Sequence, residues 1–232
     1  MKPISIQIDQ AEALRYAGHR NGALPASLQT LLDACCAEVQ ALARPRMVAR
    51  VFPVAAHDPV RLAETELVLE GADIAALLDG VPACALMAVT IGGQVEAAIR
   101  RAQVTDMSRA LFLDACASAA VESVCEACET SLRQQLGEAE AFFTRRYSPG
   151  YGDLPLTMQR PILQVLDAGR RIGLSVSESG LLTPRKSVTA VLGISPSALP
   201  QAQAARGCAA CSQRKTCLYR KEGNVCAEHE DQ

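Results

Sequence analysis

Leu28, Leu31, Leu32, Cys35, Val39 and Leu42 recur at the three- and four-residue spacing of a helix with one buried face. Ser27 predicts its N-cap and Pro45 its stop. Residues 47–54 (MVARVFPV) read as a strand, and a second strand is expected within 62–69, ended by Gly71. A short helix follows over 73–78. Residues 83–91 are almost continuously apolar, the pattern of a central strand covered on both faces. Gly92-Gly93 then predicts a turn into a helix that buries Val95, Ile99 and Ala102. Asp106 is placed to cap a long helix reaching about Gly137, with Leu111, Cys116, Ala119 and Val124 among its apolar positions. Pro149-Gly150 marks a loop. One helix is expected over 156–168, with Pro161 limiting its first turn, before Gly169 and Gly173 break the chain. Thr183-Pro184 begins a turn, 187–194 alternates as a last strand, and 196–203 reads as a linker. There is no internal repeat. Strands and helices mixed without strict alternation predict an α+β fold, a mixed, largely antiparallel sheet with packed helices, followed by a short Cys-rich C-terminal tail.

Composition narrows this picture. Of 232 residues, 49% are apolar but only 3% aromatic, and Trp is absent, so aliphatic side chains and alanine must fill the core. The net charge of -2 gives no global attraction to nucleic acid or to an anionic membrane. The longest nearly uncharged apolar run, 81–93, is too short to span a bilayer, and the first residues carry no signal-peptide pattern. The expectation is a cytoplasmic protein with neither nucleic acid nor membrane as partner. Six of the ten cysteines (Cys35, Cys36, Cys84, Cys116, Cys125, Cys128) lie in apolar periodic segments and read as small buried hydrophobes.

The segment RRYSPGYGDLP (145–155) stands out by concentrating two of the chain's four tyrosines with two arginines. Arg146, Gly150 and Tyr151 form an R-x-x-x-G-Y pattern. Downstream come Glu178-Ser179, Pro184 and Ser187-Val188. In this order and spacing they resemble the activation domain of cobalamin-dependent methionine synthase, and residues 90–123 are similar to stand-alone members of that family. The likeness covers roughly residues 62–195. It divides the chain into an N-terminal helical and strand segment of the same domain (1–60), an activation-domain-like core (61–198) and a Cys-rich tail (199–232).

The resemblance implies a reactivation subunit that binds S-adenosylmethionine and caps a corrinoid protein, a methionine synthase without its own activation domain. It would support reductive methylation of inactive cob(II)alamin carried by that partner. A flavodoxin- or ferredoxin-type donor would supply the low-potential electron. Such a chain is an accessory subunit of a methyltransferase. The implied S-adenosylmethionine contacts are Glu122, Arg146, Ser148 and Gly150. Arg146 offers a forked donor to the ligand carboxylate, and Gly150 allows close backbone approach. The implied corrinoid-facing residues are Tyr151, Lys186 and Ser187, with Arg185 adding charge. Tyr147 is expected to anchor in the core. Two departures stand beside the likeness. The family's P-x-C-P after G-Y is here Gly152-Asp153-Leu154-Pro155, and no clear match supplies the family's N-terminal ligand acid, for which Asp73 and Asp106 are the candidates.

Cys208, Cys211, Cys217 and Cys226 are spaced C-x2-C-x5-C-x8-C in a polar segment, which predicts an iron–sulfur or zinc site. A second class of function follows from it. The chain would then be an iron–sulfur or zinc protein that delivers electrons to, or docks on, a corrinoid protein without binding S-adenosylmethionine.

Overall fold

A computed structural model describes residues 4–19, 23–137, 141–200 and 203. The four tail cysteines of the expected metal site lie outside the described residues. The elements in chain order are α1 (Gln10–Tyr16), α2 (Ala26–Leu42), β1 (Arg46–His57), β2 (Val60–Leu62), β3 (Val68–Leu69), α3 (Ala72–Leu77), β4 (Ala83–Thr90), α4 (Gly93–Thr105) and α5 (Met107–Leu136). They continue with β5 (Phe142–Phe143), a 3-10 turn (Leu156–Met158), α6 (Gln159–Val165), α7 (Ala168–Ile172), β6 (Ser175–Val176), β7 (Leu182–Thr183) and β8 (Ser187–Ser195). The fold is α+β. A six-stranded sheet has the order β3-β2-β1-β4-β8-β5, and β6 and β7 form a separate hairpin. The β1–β2, β2–β3 and β5–β8 pairs are antiparallel. Seven of the eight residues of β4 are buried, as its unbroken apolar run predicted.

Internal contacts divide the chain into two compact units. The first comprises Met1–Val48, Ala88–Leu132 and Asp167–Val188. Its core is built from α2 (Leu32, Cys35, Val39), α4 (Val95, Ile99, Ala102) and α5. Helix α5 buries Ala115, Cys116, Ala117, Ala119 and Ala120 together in its middle, with small residues that let neighbours approach, while Asp114 and Glu126 are exposed. Asp106 does two things. It ends α4, and its carboxylate accepts from the Arg109 N–H at 3.0 Å to start α5.

The second unit comprises Ala49–Met87, Arg133–Leu166 and Thr189–Gln232, and only its described residues are considered. Phe52, Leu69, Ile74, Leu77, Leu78, Leu154, Ile162 and Leu192 fill its core.

Several elements differ from expectation for local reasons. Helix α2 begins at Ala26 after Pro25, with no side-chain cap, so Ser27 lies inside it. Leu111 is 49% exposed rather than inward. The strand expected over 62–69 is two short strands, β2 and β3, separated by a chain reversal in which Glu64 has φ +63°. Strand β1 runs to His57 because it pairs through that residue with Val60, past a bulge between Val54 and Ala56. The helix expected over 156–168 is broken at Asp167, whose left-handed φ of +49° separates α6 from α7, so Gly169 lies within a helix. Gln203, read as linker, is buried and donates to the carbonyls of Ala76 and Asp79 at 3.3 and 2.8 Å. Among the described residues no helix is long and apolar enough to cross a membrane.

Candidate functional site

The loop over 145–155 belongs to the second unit and is anchored at several points. Tyr147 forms an antiparallel bridge with Val191 of β8, its N–H and carbonyl both bonded (3.0 and 2.8 Å). Its ring is buried, as expected for an anchor, with the Arg145 guanidinium 5.8 Å from the ring centroid. Its hydroxyl donates to Asp73 Oδ2 at 3.1 Å. Burial, the Asp73 charge and that hydrogen bond hold the phenol above its ordinary range. From the far end of the loop, Asp153 accepts from the Ala72 N–H at 2.6 Å and the Asp73 N–H at 3.1 Å, which caps α3 from outside. Within the stretch where Gly152 and Leu154 depart from the family's P-x-C-P, Asp153 ties the loop to α3.

Between these ties the chain turns tightly. Tyr151 N–H donates to the Ser148 carbonyl (3.1 Å), and Gly150 N–H donates to Leu154 (2.8 Å). Gly150 has φ +94° and Gly152 φ +51°, both in the left-handed region that favours glycine. A Cβ on Gly152 would overlap Asp73 Oδ2 and the Tyr147 hydroxyl. A Cβ on Gly150 would meet only Leu156 Cδ1, at 3.3 Å. The result is a fixed loop with Arg146 and Ser148 half-buried and Tyr151 64% exposed.

The remaining predicted site residues belong to the first unit. Glu122 is half-buried on α5. After burial and Glu12, its charge is a further cause that raises the Tyr16 phenol. Beside it, a cavity of about 320 Å³ is lined by Asp9, Glu12, Ala119, Ser123 and Glu126, among others. Asp9 caps α1 through the Ala11 and Glu12 N–H groups, at 2.8 and 3.3 Å. Asp9 and Glu12 were missed from sequence, although an Asp immediately before a Q-A-E start is an N-cap signal. Of the two acids considered from sequence, Asp106 caps α5 and Asp73 accepts from Tyr147. Lys186 is 16% exposed, and its ammonium lies 2.9 Å from Asp114 Oδ1, 3.0 Å from the Asp114 carbonyl and 2.9 Å from Ser118 Oγ. Ser187 Oγ lies 2.7 Å from the Pro184 carbonyl and 2.8 Å from Thr90 Oγ1. Arg185 is exposed, and its backbone N–H donates to Glu96 Oε2 at 3.1 Å. Among the described residues no group of three or more His, Cys, Asp or Glu is arranged to hold a metal ion.

The class is therefore an α+β protein whose most constrained polar feature is a doubly tied Arg-x-x-x-Gly-Tyr loop. The family model of the vitamin B12 dependent methionine synthase activation domain matches residues 72–200, and the chain belongs to that family. Among solved structures it is similar to the crystal structure of the MetH reactivation domain bound to AdoHcy. The TM-score is 0.63 at 17% identity, over 85% of this chain and 76% of that one. No curated protein sequence matches it.

Proposed function

We propose that the chain binds S-adenosylmethionine and acts in trans as the reactivation subunit of a corrinoid-dependent methionine synthase. The observation that carries this reading is the match of residues 72–200 to the activation-domain family, which includes the whole 145–155 loop. The related reactivation domain was crystallised with AdoHcy. In the second unit, Arg146 takes the ligand carboxylate through its forked N–H groups. The Ser148 and Gly150 backbone supports the ligand where a left-handed glycine keeps a side chain away. S-adenosylmethionine supplies the methyl group, and the partner's cobalamin accepts it. The chain's own residues hold the donor and exclude water, because the transfer depends on alignment rather than on an acid or base. Exposed Tyr151 then faces the partner's corrinoid.

Calorimetric titration of S-adenosylmethionine tests the reading. The parental chain should bind, and Arg146→Ala should weaken binding by about 1.5–3 kcal/mol, the range for a hydrogen bond to a charged group. An unchanged dissociation constant removes Arg146 from the site. A parental chain that binds nothing, alone or with a corrinoid protein, overturns the proposal.

A further inference from the structure

Two thiols distant in sequence meet inside the first unit. Cys36 on α2 and Cys116 on α5 have their sulfurs 3.3 Å apart, and both residues are buried. Eighty residues separate them. We propose that Cys36 and Cys116 are an oxidisable pair, closed to a disulfide by a peroxide, that fastens α2 to α5.

The surroundings distinguish this pair from Cys35 and Cys84. Sulfurs in a disulfide are about 2.0 Å apart, so closure needs an approach of about 1.3 Å from the observed 3.3 Å. Around Cys116 the α5 residues Ala115, Ala117, Ala119 and Ala120 are small, so a slight shift between the helices meets little bulk. Cys35, next in sequence, makes a different sulfur contact. Its sulfur lies 3.9 Å from the Arg109 carbonyl, and burial pushes its thiol up to about 11. Cys84 is fully buried in β4, with burial pushing it up to about 12.

The two sulfurs are not equivalent. Burial raises both thiols, but the Cys116 contact counteracts the rise at Cys36, whereas it adds to the rise at Cys116. Cys36 is also the more accessible, at 7% against 0%. Cys36, the more accessible of the two, is therefore the sulfur that meets the oxidant. A small oxidant is required at so narrow an opening, which favours hydrogen peroxide over a bulky disulfide. The Cys36 thiolate attacks one peroxide oxygen, the O–O bond breaks, and the departing hydroxide takes a proton to become water. The Cys116 sulfur then attacks the resulting sulfenic acid. The S–O bond breaks, and hydroxide leaves with the thiol proton as a second water. Two thiols lose two electrons, and one peroxide is reduced to two waters.

The inference does not depend on ligand binding. The test uses the full chain, purified reduced and without oxygen, then exposed to graded hydrogen peroxide. Remaining thiols are alkylated after unfolding, and the chain is digested without reductant for mass mapping. The expected product is a peptide pair joined through Cys36 and Cys116, reversed by dithiothreitol. In Cys116→Ala the same treatment should leave Cys36 as a sulfenic acid that dimedone traps. The proposal is overturned if Cys36 and Cys116 remain fully alkylatable after the other thiols have been oxidised. Cys36 joined to Cys35, or to a cysteine of the tail, in place of Cys116 overturns it equally.

Discussion

The loop over 145–155 and the turn over 183–187 both carry prolines and basic residues, and both contribute to the family pattern. They use their polar groups in opposite ways. In the loop, Tyr147 and Asp153 make the structural ties, to Asp73 and to the start of α3, while Tyr151 at its tip stays exposed. In the turn, Lys186 itself is the tie, packed against Asp114 and Ser118 of α5, and the exposed cation is its neighbour Arg185. A motif position thus does not tell whether a side chain faces a ligand or holds the chain. That is decided by which polar groups have buried partners, since a buried polar atom is costly to leave unpaired.

The most disruptive way to break this comparison is Gly152→Ala. The new Cβ would overlap both partners of the Tyr147–Asp73 hydrogen bond, and the residue has φ +51°. Left-handed strain in a non-glycine residue costs about 1–2 kcal/mol, and the lost hydrogen bond to a carboxylate adds about 1.5–3 kcal/mol, so unfolding should become easier by about 2.5–5 kcal/mol. Denaturant titration measures it. Affinity for S-adenosylmethionine should fall in parallel, because the loop that carries Arg146 loses its shape. Parental stability in this variant would mean that the loop is not held by this tie.

Tyr147→Phe is milder and more specific. It keeps the buried ring and removes one hydrogen bond to a carboxylate, a loss of about 1.5–3 kcal/mol. The phenol is held above the ordinary value of 10.0 by burial and by Asp73. Its contribution is therefore complete below that pH and is lost as pH rises, because the unfolded chain's phenol ionises first. The parental chain should lose stability above about pH 10 more steeply than Tyr147→Phe. Lys186→Met gives the corresponding test in the turn. It keeps the stem and removes the ammonium, and because Asp114 is more than half exposed the expected loss is only about 0.5 kcal/mol.

How far the sequence was legible follows the same division. Strand β4 was visible because a long apolar run needs cover on both faces, β8 was read from alternation although its last seven residues are all buried, and the α4–α5 junction was visible because Asp106 must cap one helix as it ends the other. The β6–β7 hairpin and β5 were not, since two-residue strands carry no period. The break at Asp167 was hidden because a left-handed non-glycine residue is imposed by tertiary context rather than by local preference. In the candidate site, Arg146, Gly150 and Tyr151 were singled out by the resemblance of their pattern to the family's. The partners that shape the loop, Asp73 from 74 positions upstream and Asp153 as a distant cap, were not, because no local pattern joins them. For Lys186 the charge was visible and its partner was not.

The smallest expected effect sharpens the comparison most. Arg185 is tied by its backbone N–H to Glu96, and its side chain is exposed. Arg185→Ala should therefore change stability by less than about 0.5 kcal/mol, the usual range for an exposed residue away from caps and ion pairs. S-adenosylmethionine affinity should also stay at the parental value. If the turn faces an acidic surface of the corrinoid partner, losing this charge should slow docking, since rim charges act mainly on the rate of encounter. Methylation of the partner's cob(II)alamin, followed by absorbance with a chemical reductant, should then slow a few-fold at low ionic strength. The difference should shrink as salt rises, because at 0.15 M the screening length is already about 8 Å. A rate equal to the parental one at low salt would show that Arg185 is solvated rather than at the interface.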